Sequence, residues 1–339
     1  MRRASVRPRY AVVGALLVLV AGAGLWWAFR GGDDSDCSRL GADNRVKAVL
    51  GEGWRSDLSC GEVGEGLRAA VVGSQPGVHT VAQAEAMRTV VVVLGERTAI
   101  HPALRAPLAA ALADYAADTH EVLAAIGNPY AGSAAPGPVR EDAGTVRMSV
   151  APDVLVRFLR GLAEAPDAWG VLYRAEIGRV DQQFADLAAD STQSERGKQL
   201  NRAGSALGAL SAVRTDVLLH LPGGERARAD WAAKVLQRVV GTPGDRIPGI
   251  GEEVQHLVDL WADSFAQKEK SRNSFTSKAV MSDEREGVDY QLVAVSGIWA
   301  TERGIDPDSN AFNVLQDDAL NRLNTALAST RSHLGGGDA

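Results

Sequence analysis

Apolar residues recur through most of this chain at three- and four-residue spacing, the period of one helix face. Leu104, Leu108, Leu112, Tyr115, Val122 and Ile126 share such a face, and Gly127 with Pro129 closes it, so the spacing predicts one helix over 102–126. Upstream, Val46, Val49 and Leu50 mark a short helix, and Leu67, Ala70 and Val71 a second one that ends before Gly73 and Pro76. Residues 78–95 carry a run of valines with strand propensity, but Met87, Val91 and Leu94 keep helical spacing and no hairpin partner follows; helix is the reading.

Gly and Pro crowd the stretch from Gly127 to Gly144, which predicts a connection and a domain boundary. Beyond it, Ala151-Pro152-Asp153 and Ala165-Pro166-Asp167 each place Pro at a first helical position with an acid in the first turn. Leu155, Phe158, Leu159 and Leu162 follow the first. After the second come Trp169, Tyr173, Ile177, Val180 and Phe184, a stripe interrupted only by Glu176. A buried ion pair between Glu176 and a facing arginine is the expected compensation. Thr192 and Glu195 form a capping box for a helix through Leu200, Leu207, Leu210, Val217 and Leu218, on which Gly204 and Gly208 allow close approach of a neighbour. A turn at Leu221-Pro222-Gly223-Gly224 leads to a helix bearing Trp231, Val235 and Val239. Later helices carry Trp261 and Phe265, then Leu292, Val295 and Trp299, then Phe312, Leu315, Leu323 and Leu327. Gln267 to Glu286 reads as a polar connection, and the four tryptophans 169, 231, 261 and 299 as core.

One segment breaks the amphipathic pattern. Tyr10 to Phe29 is twenty residues without a charge, the length an α-helix needs to cross a bilayer. Arg2, Arg3, Arg7 and Arg9 precede it and Asp33, Asp34 and Asp36 follow, so the rule that positive loops stay inside puts the N-terminus in the cytoplasm and exports the body. Trp26 and Trp27 fit the interfacial aromatic belt. Ala21-Gly22-Ala23 resembles a signal-peptidase site, and a cleaved leader is the alternative; the apolar run continuing to Phe29 favours a retained anchor.

Export changes how charge and cysteine are read. The chain carries −6 overall, but residues 1–30 hold five arginines and no acid, leaving 31 basic against 42 acidic residues and −11 for the body. That balance argues against nucleic acid or an anionic membrane surface as partner of the body. Cys37 and Cys60 are the only cysteines, and an oxidising compartment lets them close into a disulfide.

Candidate chemistry is sparse. Asp114, Asp118 and Glu121, with His120 beside them, lie at helical spacing and offer a carboxylate face for a metal; a solvated face opposite Leu108, Tyr115 and Val122 explains them without chemistry. Asp306, Asp308, Asn310 and Asp317 echo a calcium loop, but Ala311 replaces its turn glycine, and capping of the last helix by Asp308 or Ser309 is the simpler account. No nucleophile elbow, phosphate-cradling loop or His pair at ligand spacing occurs, so no catalytic residue and no cofactor are assigned.

Several segments carry a resemblance. Ala110–Ile126 with Ala113-Asp114-Tyr115 and Asp118-Thr119-His120, the run Val154–Leu162, the step Ala165-Pro166-Asp167-Ala168-Trp169, and Ile298–Gly304 together resemble a helical family of unknown function from high-GC Gram-positive bacteria, often associated with type VII secretion loci. The likeness covers roughly residues 80–333. It implies an all-helical fold and an envelope setting, and supplies no catalytic residues.

The expected architecture is therefore all-α, a multi-helix array behind one N-terminal transmembrane helix. Its parts are a basic tail (1–9), the span (10–29), a hinge (30–36), a small disulfide-closed subdomain (37–77), a helical segment (78–126), a Gly/Pro-rich linker (127–149), a helical domain (150–334) and a short tail (335–339). The function expected is a non-enzymatic protein-interaction module of the cell envelope, with type VII secretion as the context and a protein partner. The alternative is an envelope-associated effector or metal-dependent hydrolase using the Asp114/Asp118/Glu121 face.

Overall fold

Ser59, Thr80 and Thr192 each accept a hydrogen bond from the backbone N–H three residues on, and the side chains of Glu62, Gln83 and Glu195 accept the cap's own backbone N–H in return. These reciprocal boxes satisfy orphan N–H groups and fix where three helices begin. A computed structural model describes residues 35–127, 140–142, 145–188, 190–240 and 252–335. Among them it is mostly helical, with thirteen α-helices. They are α1 (Ser35–Ala42), α2 (Asn44–Leu50), α3 (Cys60–Val71), α4 (Val81–Gly95), α5 (Pro102–Asp114), α6 (Ala116–Ala124), α7 (Pro152–Ala163), α8 (Pro166–Ala185), α9 (Gln193–His220), α10 (Gly224–Val240), α11 (Glu252–Ser271), α12 (Ser277–Glu302) and α13 (Asn310–His333). No helix among the described residues is long and apolar enough to cross a membrane. The span expected at 10–29 lies outside them.

Local signals that read well in sequence recur here. Pro152 and Pro166 open α7 and α8, with Asp153 and Asp167 in the first turns. The valine run of 90–93 is helical in α4, and the turn before α10 uses Gly223 and Gly224 at positive φ. All four core tryptophans are buried.

The longest contact joins α9 to α13, and glycine makes it possible. A Cβ on Gly204 would sit 2.4 Å from the Ala319 carbonyl oxygen, and one on Gly208 2.2 Å from that of Leu323. Backbone thus packs on backbone, closer than any side chain at these positions permits. Likewise Gly64 of α3 nests against Pro107, where a Cβ would lie 2.7 Å from the ring. Pro107 sits inside α5 and leaves one helix bond unmade.

Four departures from the sequence reading matter. The helix expected over 102–126 breaks at Tyr115 (φ −96°, ψ 27°) into α5 and α6. Tertiary bonds hold the break: the Tyr115 hydroxyl donates to the Val71 carbonyl at 2.7 Å, and its ring stacks on His79 at 3.6 Å. Second, the stretch 127–149 contains a two-stranded antiparallel hairpin, β1 (Arg140–Asp142) with β2 (Thr145–Arg147), pairing Arg140 with Arg147. Third, Gln267–Glu286 is almost all helix, because α11 runs to Ser271 and α12 begins at Ser277. Fourth, the short helix marked by Val46, Val49 and Leu50 is α2, and a helix that the apolar spacing did not mark, α1, precedes it; Asp43 between them caps α2.

The buried apolar residues form one continuous cluster from Cys37 to Ala326. Helix α8 lies at its centre and touches α5 and α6 from one side of the 127–149 stretch and α7, α9, α10 and α11 from the other. The helices before and after that stretch share this core. Cys37 and Cys60 are disulfide-bonded, and the segment they close packs into the same cluster through α3 on α5.

Candidate functional site

The break at Tyr115 decides the fate of the acidic face. Asp114 and Asp118 would be neighbours on one unbroken helix; across the break they reach different partners. Asp114 accepts from the Gly77 backbone N–H at 3.0 Å and pairs with His79 Nε2 at 2.8 Å. Burial pushes its carboxyl up, but the bonds from His79 and Gly77 outweigh that and hold it below the usual range. Asp118 accepts from the Met148 N–H at 2.9 Å and from Arg147 at 3.2 Å, tying α6 to the hairpin. Here burial wins and the carboxyl is raised. Glu121 pairs with Arg202 of α9; burial raises it and Arg202 more than compensates. The three carboxylates thus serve three junctions: α5 with the 77–79 turn, α6 with the hairpin, and α6 with α9.

The solvated face expected for this cluster is also corrected. Asp118 is 3% exposed and His120 is fully buried. His120 Nδ1 lies 2.6 Å from Glu176 Oε1, so the acid interrupting the α8 stripe is paired with a histidine and not with an arginine. A histidine at the end of a short polar run carries no sequence signal that it faces inward. His120 Nε2, Thr119 Oγ1 and Glu176 Oε2 are buried without a hydrogen-bond partner among the described residues. The space beside Thr119 and Glu176 is only ≈ 10 Å³, about what one water needs.

A second polar site lies where sequence suggested a connection. Arg214 of α9 is buried, with Nη1 2.8 Å from Glu284 of α12 and Nη2 2.8 Å from Glu269 of α11. Arg272, just beyond α11, contacts both acids as well, at 3.2 Å from Glu269. Two guanidiniums and two carboxylates close a neutral square. Burial raises both acids. Arg214 and Arg272 overcome it at Glu269, which is held low, but only partly offset it at Glu284, which stays raised. Like charge on Glu269 adds to the rise at Glu284.

Aromatic rings wall this square. The Arg214 guanidinium carbon is 4.9 Å from the Phe265 ring centre, 5.5 Å from Trp169 and 5.9 Å from Trp231. Tyr173 stacks on Trp169 and donates to Gln291 at 2.6 Å. The niche against these residues measures ≈ 20 Å³, room for a water and not for a substrate. Such a buried set fixes the relative placement of three helices more than it adds stability. Its one sequence signal was Arg214 within the apolar stripe of Leu207, Leu210, Val217 and Leu218, the same kind of interruption that Glu176 makes in α8. Asp181 is the second buried acid of α8, after Glu176. It is wholly enclosed, accepts from Trp261 Nε1 at 2.7 Å, and is raised well above the usual range by burial.

The calcium-like segment is organised by its own backbone. Asp306 Oδ1 accepts from the Asp308 N–H at 3.0 Å, Ser309 Oγ donates to the Asp306 carbonyl at 2.7 Å, and Ser309 caps α13. Asn310 begins that helix and Asp317 lies two turns into it. Capping by Ser309, the simpler of the two expectations, is what the chain uses.

A cavity of ≈ 220 Å³ opens beside the disulfide, lined by Cys37, Arg39, Leu94, Arg97, His101 and Leu104 among others. Comparison of the chain with protein-family models, with curated proteins and with solved structures finds no match.

Proposed function

We propose that this chain is a membrane-anchored, extracytoplasmic helical protein that acts as a non-enzymatic interaction module of the cell envelope, in the setting of type VII secretion. One observation carries the non-enzymatic part: Asp114, Asp118 and Glu121 are each committed to a different junction, with His79, Met148 with Arg147, and Arg202. A metal held by all three would have to strip these partners and close the break at Tyr115. The anchor rests on the uncharged run 10–29, the export of the body on the four arginines that precede that run, and the secretion context on the resemblance described above.

The partner of the acidic body is a protein with a basic or apolar face, not nucleic acid. Tyr290 and Val293 are exposed one turn apart on α12, and Val314 is exposed on α13. Gln316 joins the two helices by donating to the Val293 carbonyl and to Ser296. These residues are the first to substitute.

The test is crosslinking in intact cells with a tag at the C-terminus, run beside a chain lacking residues 1–30. Recovery of one defined envelope protein, lost on changing Val293 and Val314 to Ser, supports the reading. Stoichiometric metal on the purified protein that disappears with Asp114→Ala, Asp118→Ala or Glu121→Ala defeats it.

A further inference from the structure

Cys37 and Cys60 do not stand alone. A ring nitrogen of His101 lies within 4.8 Å of both sulfurs, a grouping of three soft or borderline donors drawn from α1, α3 and the cap of α5. His101 Nδ1 accepts the Ala103 N–H at 3.2 Å, and Nε2 is buried without a hydrogen-bond partner. Both sulfurs are buried, at 5% and 4% residue exposure, and the ≈ 220 Å³ cavity reaches Cys37 and His101 from one side.

We propose that this triangle is a redox-gated zinc site, closed while the disulfide stands and open to one metal ion once it is reduced. A dithiol supplies two electrons and two protons and becomes a disulfide; with a phosphine, one water supplies the two protons and the oxygen of the phosphine oxide that forms. The Cys37–Cys60 bond breaks and each sulfur takes a proton. Zn²⁺ then displaces both protons and binds two thiolates and the imidazole, a Cys₂His set with a fourth position left over. That position faces the cavity, where a water or small anion completes the tetrahedron. Arg39 and Arg97 line this side and supply positive charge for an anionic fourth ligand.

The geometry asks for little. Tetrahedral zinc with bonds near 2.3 Å places its sulfurs about 3.8 Å apart. The freed sulfurs must separate by roughly the width of one atom, and the cavity provides the room. His101 must move its proton to Nδ1 and give up the bond from Ala103. That bond is a single long cap, weak beside a metal–ligand bond.

The test uses the full-length protein, reduced with a phosphine under anaerobic conditions and titrated with Co²⁺ as a spectroscopic stand-in for Zn²⁺. One Co²⁺ per reduced chain is expected, with sulfur-to-metal charge-transfer absorption, displacement by Zn²⁺, and no uptake by the oxidised chain. His101→Ser keeps a capping oxygen but removes the ring, and should weaken the metal at least tenfold while helix content by circular dichroism is unchanged. Three results overturn the proposal: no uptake after reduction, equal affinity in H101S, or uptake only with loss of helix, which marks unstructured thiols. None of them bears on the envelope reading.

Discussion

His120 Nδ1 of α6 stands 2.6 Å from Glu176 Oε1 of α8, and neither side chain reaches solvent. The pair bridges the helices before and after the 127–149 stretch, inside the shared core. Removing one partner leaves the other's polar or charged group buried, so His120→Ala or Glu176→Ala should each cost about 3–5 kcal/mol. Replacing both with apolar groups of similar volume, as in His120→Phe with Glu176→Leu, removes that penalty and should recover most of the loss. Urea unfolding of the four proteins at pH 7 checks this. A double variant as weak as the sum of the singles sinks it.

Asp181 gives the fold a pH dependence of unusual sign. Its carboxyl is raised well above the ordinary value by burial, and Trp261 is the one group that opposes the rise. The folded state therefore keeps a proton that the unfolded chain releases near pH 4. The stability this carboxyl contributes is full below that pH and is lost as pH rises toward the folded value. Asp181→Asn keeps an oxygen for Trp261 and cannot ionise. Wild type and variant should match at about pH 3.5 and diverge upward, the variant gaining about 1.4 kcal/mol per unit by which burial raises the acid. A constant difference across pH would show that Asp181 does not titrate on folding.

Much of the fold was legible because its causes are local. Pro152, Pro166, the Thr192–Glu195 box and the Gly223-Gly224 turn act within one helical turn of themselves. Gly204 and Gly208 advertised a close approach through spacing alone, and α13 fills it. What sequence hid depends on partners far along the chain. Tyr115 breaks its helix by reaching Val71 and His79, and Glu269 and Glu284 look solvated until Arg214, 55 and 70 residues earlier in sequence, meets them inside. The same holds for the 114–121 cluster, whose partners lie 37 residues before it and 81 after.

Two glycines separate packing from propensity. Gly208→Ala drives a methyl toward the Leu323 carbonyl, a backbone atom that cannot swing aside, and should destabilise by about 2–3 kcal/mol. Gly297→Ala lies inside α12, where a Cβ meets nothing within 4 Å, and should stabilise by up to about 1 kcal/mol. Thermal midpoints of both variants decide it. Equal shifts of the same sign would mean that α9 and α13 do not pack backbone to backbone.

Asp118 offers the sharpest distinction between a clamp and a chemical group. Its two oxygens hold the Met148 N–H and the Arg147 guanidinium, and through them the β1–β2 hairpin is fixed to α6. A hydrogen bond to a charged group contributes about 1.5–3 kcal/mol, and each 1.4 kcal/mol is tenfold in an opening equilibrium. Asp118→Ala should therefore speed amide exchange at Met148 and across Thr145–Arg147 by about 10- to 100-fold. The interior of α9, anchored by α13, should exchange at nearly its wild-type rate. Hydrogen exchange followed by peptide mass spectrometry reads both segments in one experiment. Unchanged exchange at the hairpin would mean that Asp118 does not hold it, and would return this carboxylate to the list of groups available for chemistry.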